Sequence, residues 1–240
     1  SLAQSWTAPN VYLDSLPSTA SYVIDTDGSY VWATRYDGKI MFNGTDASTV
    51  IQAAIDALTS GLIVIKNEIY TITQTIVIDS KMDFQIISDF ATIKLANSYM
   101  GYHGPPGSYI GLAIDNSENI LVQGLQFDGN KANVAQENIL VNILNDTAIT
   151  FRNCVFKNAN SKAFTLYGDY GGGTPNYDVN VKDCYFINNS DATGNDSDVW
   201  SDNGINIGSF ENCYFYRDTL AQTTGQAFYM NNKSFTYKNC

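Results

Sequence analysis

Ile149-Thr-Phe151-Arg-Asn153-Cys154-Val-Phe156 is a segment that the chain repeats. It returns as Val179-Asn-Val181-Lys-Asp183-Cys184-Tyr-Phe186, as Phe210-Glu-Asn212-Cys213-Tyr-Phe215 and as Phe235-Thr-Tyr237-Lys-Asn239-Cys240. An upstream copy, Ile120-Leu-Val122-Gln-Gly124-Leu125-Gln-Phe127, carries leucine in place of the cysteine. From Leu125 through the four cysteines the intervals are 29, 30, 29 and 27 residues, a period that decides the architecture before any single element is assigned. Inside each copy apolar and polar residues alternate, slip phase once, and alternate again. A strand shows every second side chain on one face, so the slip marks a tight bend between two short strands whose apolar faces both point inward. The residue at the slip is Gly124, Asn153, Asp183, Asn212 or Asn239, types that accept a left-handed backbone at low cost.

A third strand precedes each copy: Ile110, Leu112 and Ile114; Ile139, Val141 and Ile143; Phe164 and Leu166; Ile205 and Ile207; and Ala227 to Met230. Three short strands and three turns per roughly 28 residues describe one coil of a parallel β-helix. Stacked coils put equivalent side chains about 4.8 Å apart in ladders along the axis. The 25 Asn of this 240-residue chain then have a cause, since Asn amides at the bends can hydrogen-bond from coil to coil.

These repeats resemble the pectate-lyase-like (pectin-lyase-like) superfamily of right-handed parallel β-helices. So does the N-terminal entry, where Asp46-Ala-Ser-Thr-Val50-Ile51-Gln-Ala53-Ala54-Ile55-Asp-Ala57-Leu58 reads as an amphipathic helix with Thr45 or Asp46 as N-cap. The resemblance implies an all-β, right-handed single-stranded parallel β-helix over 43–240, with about seven coils of three short strands and the helix 46–58 plugging its N-terminal end. Residues 1–42 lie outside the pattern. Tyr22 to Trp32 reads as a β-hairpin with an Asp27-Gly28 turn, and Asp37-Gly38 marks another, so 1–42 is expected to form an extension packed on the solenoid. The sequence stops at Cys240 in mid-repeat, and the expectation is a β-helix truncated at its C-terminus, the alternative being an open end that docks onto a partner or another copy of the chain.

Composition narrows the partners. Only 15% of residues are charged and the net charge is −11, so no basic stripe for nucleic acid is expected. No apolar run reaches the roughly 18 residues of a membrane span, so no membrane insertion is expected. The four cysteines match no compact metal spacing and fall at inward positions, which reads as a buried stack of free thiols. Five Asn-x-Ser/Thr sequons, at Asn43, Asn145, Asn188, Asn195 and Asn232, lean toward an extracellular protein, secreted, on a surface or in a virion.

The resemblance implies that substrate lies along the face made by the first strand of each coil. Outward positions there are Gly111 and Ala113, Asn142, Thr165 and Asn206, none of them a carboxylate, lysine or arginine. The 188–204 loop is richer. Asp198 and Asp202 are the candidate acid and base, the paired-carboxylate requirement of glycoside hydrolysis, with Trp200 to stack on a sugar ring. Tyr167, Asp169, Tyr170, Glu137 and Asn206 complete the candidate substrate contacts. No cofactor is required; clustered carboxylates and Asn oxygens would suit Ca2+, with no metal ligand set assigned. The only histidine, His103, sits in a Pro/Gly loop, and no Gly-His-Gly motif of the polygalacturonases is present. Two readings follow. One is an extracellular polysaccharide-acting protein, a polysaccharide lyase or glycoside hydrolase, with a polysaccharide or surface glycan as partner. The other is a non-catalytic surface or virion component, an adhesin, tail-spike-like receptor binder or filament subunit.

Overall fold

The computed structural model describes residues 20–103, 108–167, 176–189, 197–202, 206–216, 226–230 and 233–240. The chain winds repeatedly through three parallel sheets. The first, called here the groove sheet, is built from Ile76–Asp79, Ser108–Asp115, Asn138–Leu144, Lys162–Tyr167, Ser197–Asp202 and Gln226–Met230, with Tyr102–His103 paired to its second strand. The second sheet holds Gly61–Ile65, Met82–Ser88, Glu118–Gln123, Thr147–Arg152, Tyr177–Lys182, Asn206–Glu211 and Lys233–Lys238. The third holds Ile69–Ile72, Thr92–Leu95, Gln126–Asp128, Val155–Lys157, Tyr185–Ile187 and Tyr214–Tyr216. Each strand pairs with its equivalent one coil away, the arrangement of a parallel β-helix.

The phase slip has the backbone that the alternation demands. Gly124, Asn153, Asp183, Asn212 and Asn239 all have φ between 52° and 71°. Among the described residues 15 non-glycine positions have positive φ, nine of them Asn, at all three turns of the coil. The amides also bridge coils, Asn212 Nδ2 donating to Asp183 Oδ1 at 2.9 Å and Asn239 Nδ2 to Asn212 Oδ1 at 3.0 Å. Gly124 is required where it stands. A Cβ there would lie 2.0 Å from the Ser88 carbonyl oxygen of the preceding coil. Gly124→Ala is therefore expected to cost about 2–4 kcal/mol, the sum of overpacking and left-handed strain, whereas Asn153→Gly at the equivalent bend stays within about 1 kcal/mol. Urea denaturation of both variants checks this, and an unchanged midpoint for Gly124→Ala refutes it.

Inward ladders fill the core. Tyr70, Ile93, Phe127, Phe156, Phe186 and Phe215 follow one another along the third sheet, and Ile63, Ile86, Val122, Phe151, Val181 and Phe210 along the second. Cys154, Cys184 and Cys213 are buried free thiols and Cys240 is an exposed one. Burial pushes the Cys213 thiol up to about 12, so at neutral pH it packs as a small apolar group.

The helix Ala47–Asp56 closes the first coil. Asp46 is its N-cap and takes the Ser48 N–H at 3.3 Å, while Val50, Ile51, Ala54 and Ile55 face the core at helical spacing. Its polar side satisfies a sheet edge. Gln52 accepts the Val77 N–H at 2.7 Å and donates to the Val77 carbonyl at 2.9 Å, standing in for a missing strand. Tyr22–Thr26 and Val31–Arg35 form the expected hairpin, and Ile40–Gly44 adds a third antiparallel strand. Tyr22–Thr26 pairs in parallel with Gly61–Ile65, so this meander extends the second sheet. Residues 1–19 lie outside the described residues. Among the described residues no helix is long and apolar enough to cross a membrane.

Candidate functional site

Two outward ladders run along the groove sheet. Val77, Ala113, Asn142, Thr165, Trp200 and Tyr229 occupy one set of register positions. Asp79, Asp115, Leu144, Tyr167 and Asp202 occupy the other, at the C-terminal ends of the strands. The first ladder is mostly sealed. Ala113, Asn142 and Thr165 are fully buried, with Ile110 and Ile139 packed on Ala113. Thr165 Oγ1 donates to Asn142 Oδ1 at 2.7 Å, while Asn142 Nδ2 and Trp200 Nε1 are buried without a hydrogen-bond partner.

Trp200 lies on the groove sheet, on a strand rather than in a loop. Its indole stacks on Tyr229 of the following coil at 3.9 Å and 17°, and Lys162 of the preceding coil sits 4.9 Å from its ring. Both faces that a sugar would stack on are thus engaged within the chain. Asp198 and Asp202 stand four residues apart on the same strand, about 13 Å between Cα atoms at the usual strand rise. Asp198 is only 3% exposed. Tyr167 and Asp202 are register neighbours. Glu137 is exposed at the opposite, N-terminal end of its strand, a full strand length from that ladder. Asp169 and Tyr170 lie outside the described residues.

Asn206 requires a correction. The expectation placed it on the groove strand with Ile205 and Ile207, but Asn206–Glu211 belongs to the second sheet, and Trp200 holds the groove position beside Thr165. Ser197–Asp202 hides its role because only Val199 is apolar at its inward positions, Ser201 filling the ladder of Ile78, Ile114, Ile143 and Leu166.

The open part of the surface is elsewhere, where the groove sheet turns into the second sheet. Ser80, Asn116 and Asn145 are equivalent left-handed residues on three consecutive coils. With Lys81, Met82, Ser117, Glu118 and Thr147 they line a shallow polar cleft of ≈ 380 Å³. Asn145 Oδ1 is buried there without a partner, and Asn116 Nδ2 donates to Asp79 Oδ1 at 3.2 Å. Beneath the cleft the turn is held by a buried polar ladder. Lys81 N–H donates to Ser117 Oγ at 3.1 Å, Ser117 N–H to Asp146 Oδ1 at 2.6 Å, and Asp146 N–H to Asn176 Oδ1 at 2.8 Å.

His103 joins this end of the sheet. It pairs with Ser108, which is seven residues and about 23 Å of extended strand from Asp115. Yet His103 Nε2 lies 2.5 Å from Asp115 Oδ2. The strand is therefore not straight between Ser108 and Asp115, and within it Gly111 lies so close to the next coil that a Cβ would be 2.9 Å from the Leu140 carbonyl oxygen. The hydrogen bond that Asp115 accepts, with its charge and that of Asp79, raises the His103 pKa against the opposing effect of burial. Nothing in local spacing links residue 103 to 115. Among the described residues no three His, Cys, Asp or Glu side chains gather as a metal ion would need, and 191–196 of the acidic loop are outside them.

Solved structures share this fold at low identity. The chain is similar to ORF18 of Geobacillus virus E2, with TM-score 0.57 and 15% identity over 82% of this chain; it spans only 39% of the length of that viral protein. It is also similar to a putative glycosyl hydrolase from Parabacteroides merdae, with TM-score 0.59 and 14% identity, covering 82% of this chain and 91% of the other. A pectin methylesterase in complex with a hexasaccharide superposes less closely, with TM-score 0.49 and 14% identity over 79% of this chain and 62% of the other. No curated protein matches the sequence. The model of the right-handed beta helix region matches residues 38–220, most of the wound part of the chain, and the chain belongs to that family.

Proposed function

We propose that this chain acts on a polysaccharide, held along the helix axis in the cleft between the groove sheet and the second sheet. The observation that supports this reading is the cleft's repeat. Ser80, Asn116 and Asn145 present one hydroxyl and two amides from successive coils, about 4.8 Å apart, beside the exposed Asp79. A row of evenly spaced neutral hydrogen-bonding groups suits a chain of sugar hydroxyls. Lys81 in the lining is turned to the Leu58 carbonyl, so the Glu118 carboxylate, the neighbouring Asp79 and the net charge of −11 disfavour polyanions, and the substrate class is a neutral glycan.

Asn116→Gly and Asn145→Gly remove the amides while keeping the left-handed backbone. Each is expected to weaken binding of the recognised neutral oligosaccharide about five- to tenfold, the worth of one hydrogen bond, with the thermal midpoint nearly unchanged. Calorimetric titration against a panel of neutral and acidic oligosaccharides measures this. Failure of the wild-type chain to bind any neutral glycan sinks the reading. Binding with no change in chain length would instead favour the non-catalytic receptor-binding reading.

A further inference from the structure

The His103–Asp115 pair is placed for proton transfer rather than for holding the fold alone. Asp115 is buried, its side chain only 10% exposed; Oδ2 meets His103 and Oδ1 has no hydrogen-bond partner. His103 is open to solvent at 28% of its side chain. Asp79 stands one rung away as the register partner of Asp115, and its Oδ1 is oriented by Asn116. A partly exposed imidazole backed by a buried carboxylate, with a second carboxylate on the adjacent strand, is an acid and a base on one short stretch of surface. Asn116 lines the Ser80–Asn116–Asn145 cleft and hydrogen-bonds Asp79, which ties these groups to a ligand lying there.

We propose that His103, held by Asp115, is the general acid of a glycosidic-bond hydrolysis in which Asp79 is the general base. The proposal rests on the polysaccharide reading and goes beyond it by naming the reaction and its groups. With Nε2–H directed at Asp115, the proton that the imidazolium gives up is the one on Nδ1. That proton passes to the glycosidic oxygen as the bond from the anomeric carbon to that oxygen breaks. Water attacks the same carbon and its proton passes to the Asp79 carboxylate. One water is consumed, a hemiacetal and an alcohol are released, and solvent returns the proton from Asp79 to His103. Asp115 touches no reacting atom; it is a positioning residue that fixes the ring and favours its charged form. The charged groups that face the imidazole are Asp115, on the strand it leans against, and Asp79, on the strand beyond.

The test is leaving-group dependence, read on the full chain. A general acid matters for alkyl leaving groups and not for a dinitrophenolate, which departs without a proton. His103→Gln is expected to lower kcat on the natural neutral oligosaccharide by about 100-fold or more, and to retain near wild-type rates on the matching dinitrophenyl glycoside. Asp115→Asn is expected to move the alkaline limb of the wild-type pH profile to lower pH. Circular dichroism melts confirm that both variants are folded, and the leaving-group slope of the wild-type protein on a series of aryl glycosides gives the same information without a mutation. Equal loss on both substrates, or no loss on either, overturns the assignment of His103 and leaves the polysaccharide reading standing. Glycan binding by a wild-type chain that cleaves neither substrate overturns the hydrolysis, and an absence of binding overturns both.

Discussion

Phe156→Ala is expected to remove about 3–5 kcal/mol of stability. The ring stacks on Phe127 one coil before it, at 5.5 Å and 6°, and on Phe186 one coil after it, at 4.9 Å and 25°. Phe164 meets it edge-on at 5.7 Å and Phe151 at a tilt of 59° and 5.9 Å, so a single residue joins all three sheets. Truncation empties the centre of the stack, and the surrounding aromatic rings lose packing together. In a solenoid each coil is stabilised mainly by its neighbours, so a central cavity also weakens the coupling between the two halves. Guanidinium unfolding monitored by circular dichroism is expected to show a lower midpoint and a broader transition. Phe215→Ala, at a partly buried position of the same ladder, is expected to cost less. A cost for Phe156→Ala no larger than for Phe215→Ala would show that axial stacking is not what couples the coils.

Asp146→Ala is the second large effect, about 2–6 kcal/mol, because alanine leaves two backbone donors buried and unpaired at roughly 1–3 kcal/mol each. The side chain is fully buried, and Oδ1 accepts the Ser117 N–H at 2.6 Å while Oδ2 accepts the Leu144 N–H at 3.0 Å. Asp146 also makes stability depend on pH. Burial lifts its pKa from the ordinary 3.8 to about 8, against the two N–H donors, which favour the charged form. The folded state thus holds this proton more tightly than the unfolded state. The contribution is complete below about pH 4 and is lost as pH rises through about 8. His103, whose pKa is raised by Asp115, adds in the same direction above its ordinary 6.5. Glu211, lowered by Lys238 and then Lys182, acts oppositely, its contribution being lost as pH falls through the folded pKa, below 4.5. Thermal midpoints are accordingly expected to be highest near about pH 5 and to fall toward about pH 8. Asp146→Asn, which keeps one acceptor, is expected to flatten most of that fall. An equal slope in the wild-type protein and the Asp146→Asn variant would show that this carboxyl is ionised throughout.

The legible and illegible parts of the chain differ in kind. The repeat, its five bend residues and the capping helix could all be read from residues close together in sequence, because each follows from backbone sterics or from a period of about two or 3.6. Ser197–Asp202 was not legible as a groove strand, since Ser201 takes an inward position usually filled by an aliphatic residue and breaks the alternation. The misplacement of Asn206 follows from that one serine. The acidic run around Asp198 and Asp202 reads as a loop in the sequence, but both residues lie on a strand, where Asp198 is almost fully buried. His103 looked like a loop residue among prolines and glycines, and its partner is twelve residues away.

Taken alone, the sequence determines the winding. A coil period of 27–30 residues, left-handed bends at Asn and inward aliphatic and aromatic ladders leave a parallel β-helix as the arrangement that buries one continuous core. Stacking similar coils is a local, repeated instruction, so it can be read one repeat at a time. Only the tertiary structure decides which polar groups share the outer surface. Asp79 and Asp115 become neighbours because strands distant in sequence are adjacent in register, and His103 joins them because the path of the chain brings its ring to Asp115. Those placements depend on strand register and on that path, and neither leaves a periodic trace in the chain.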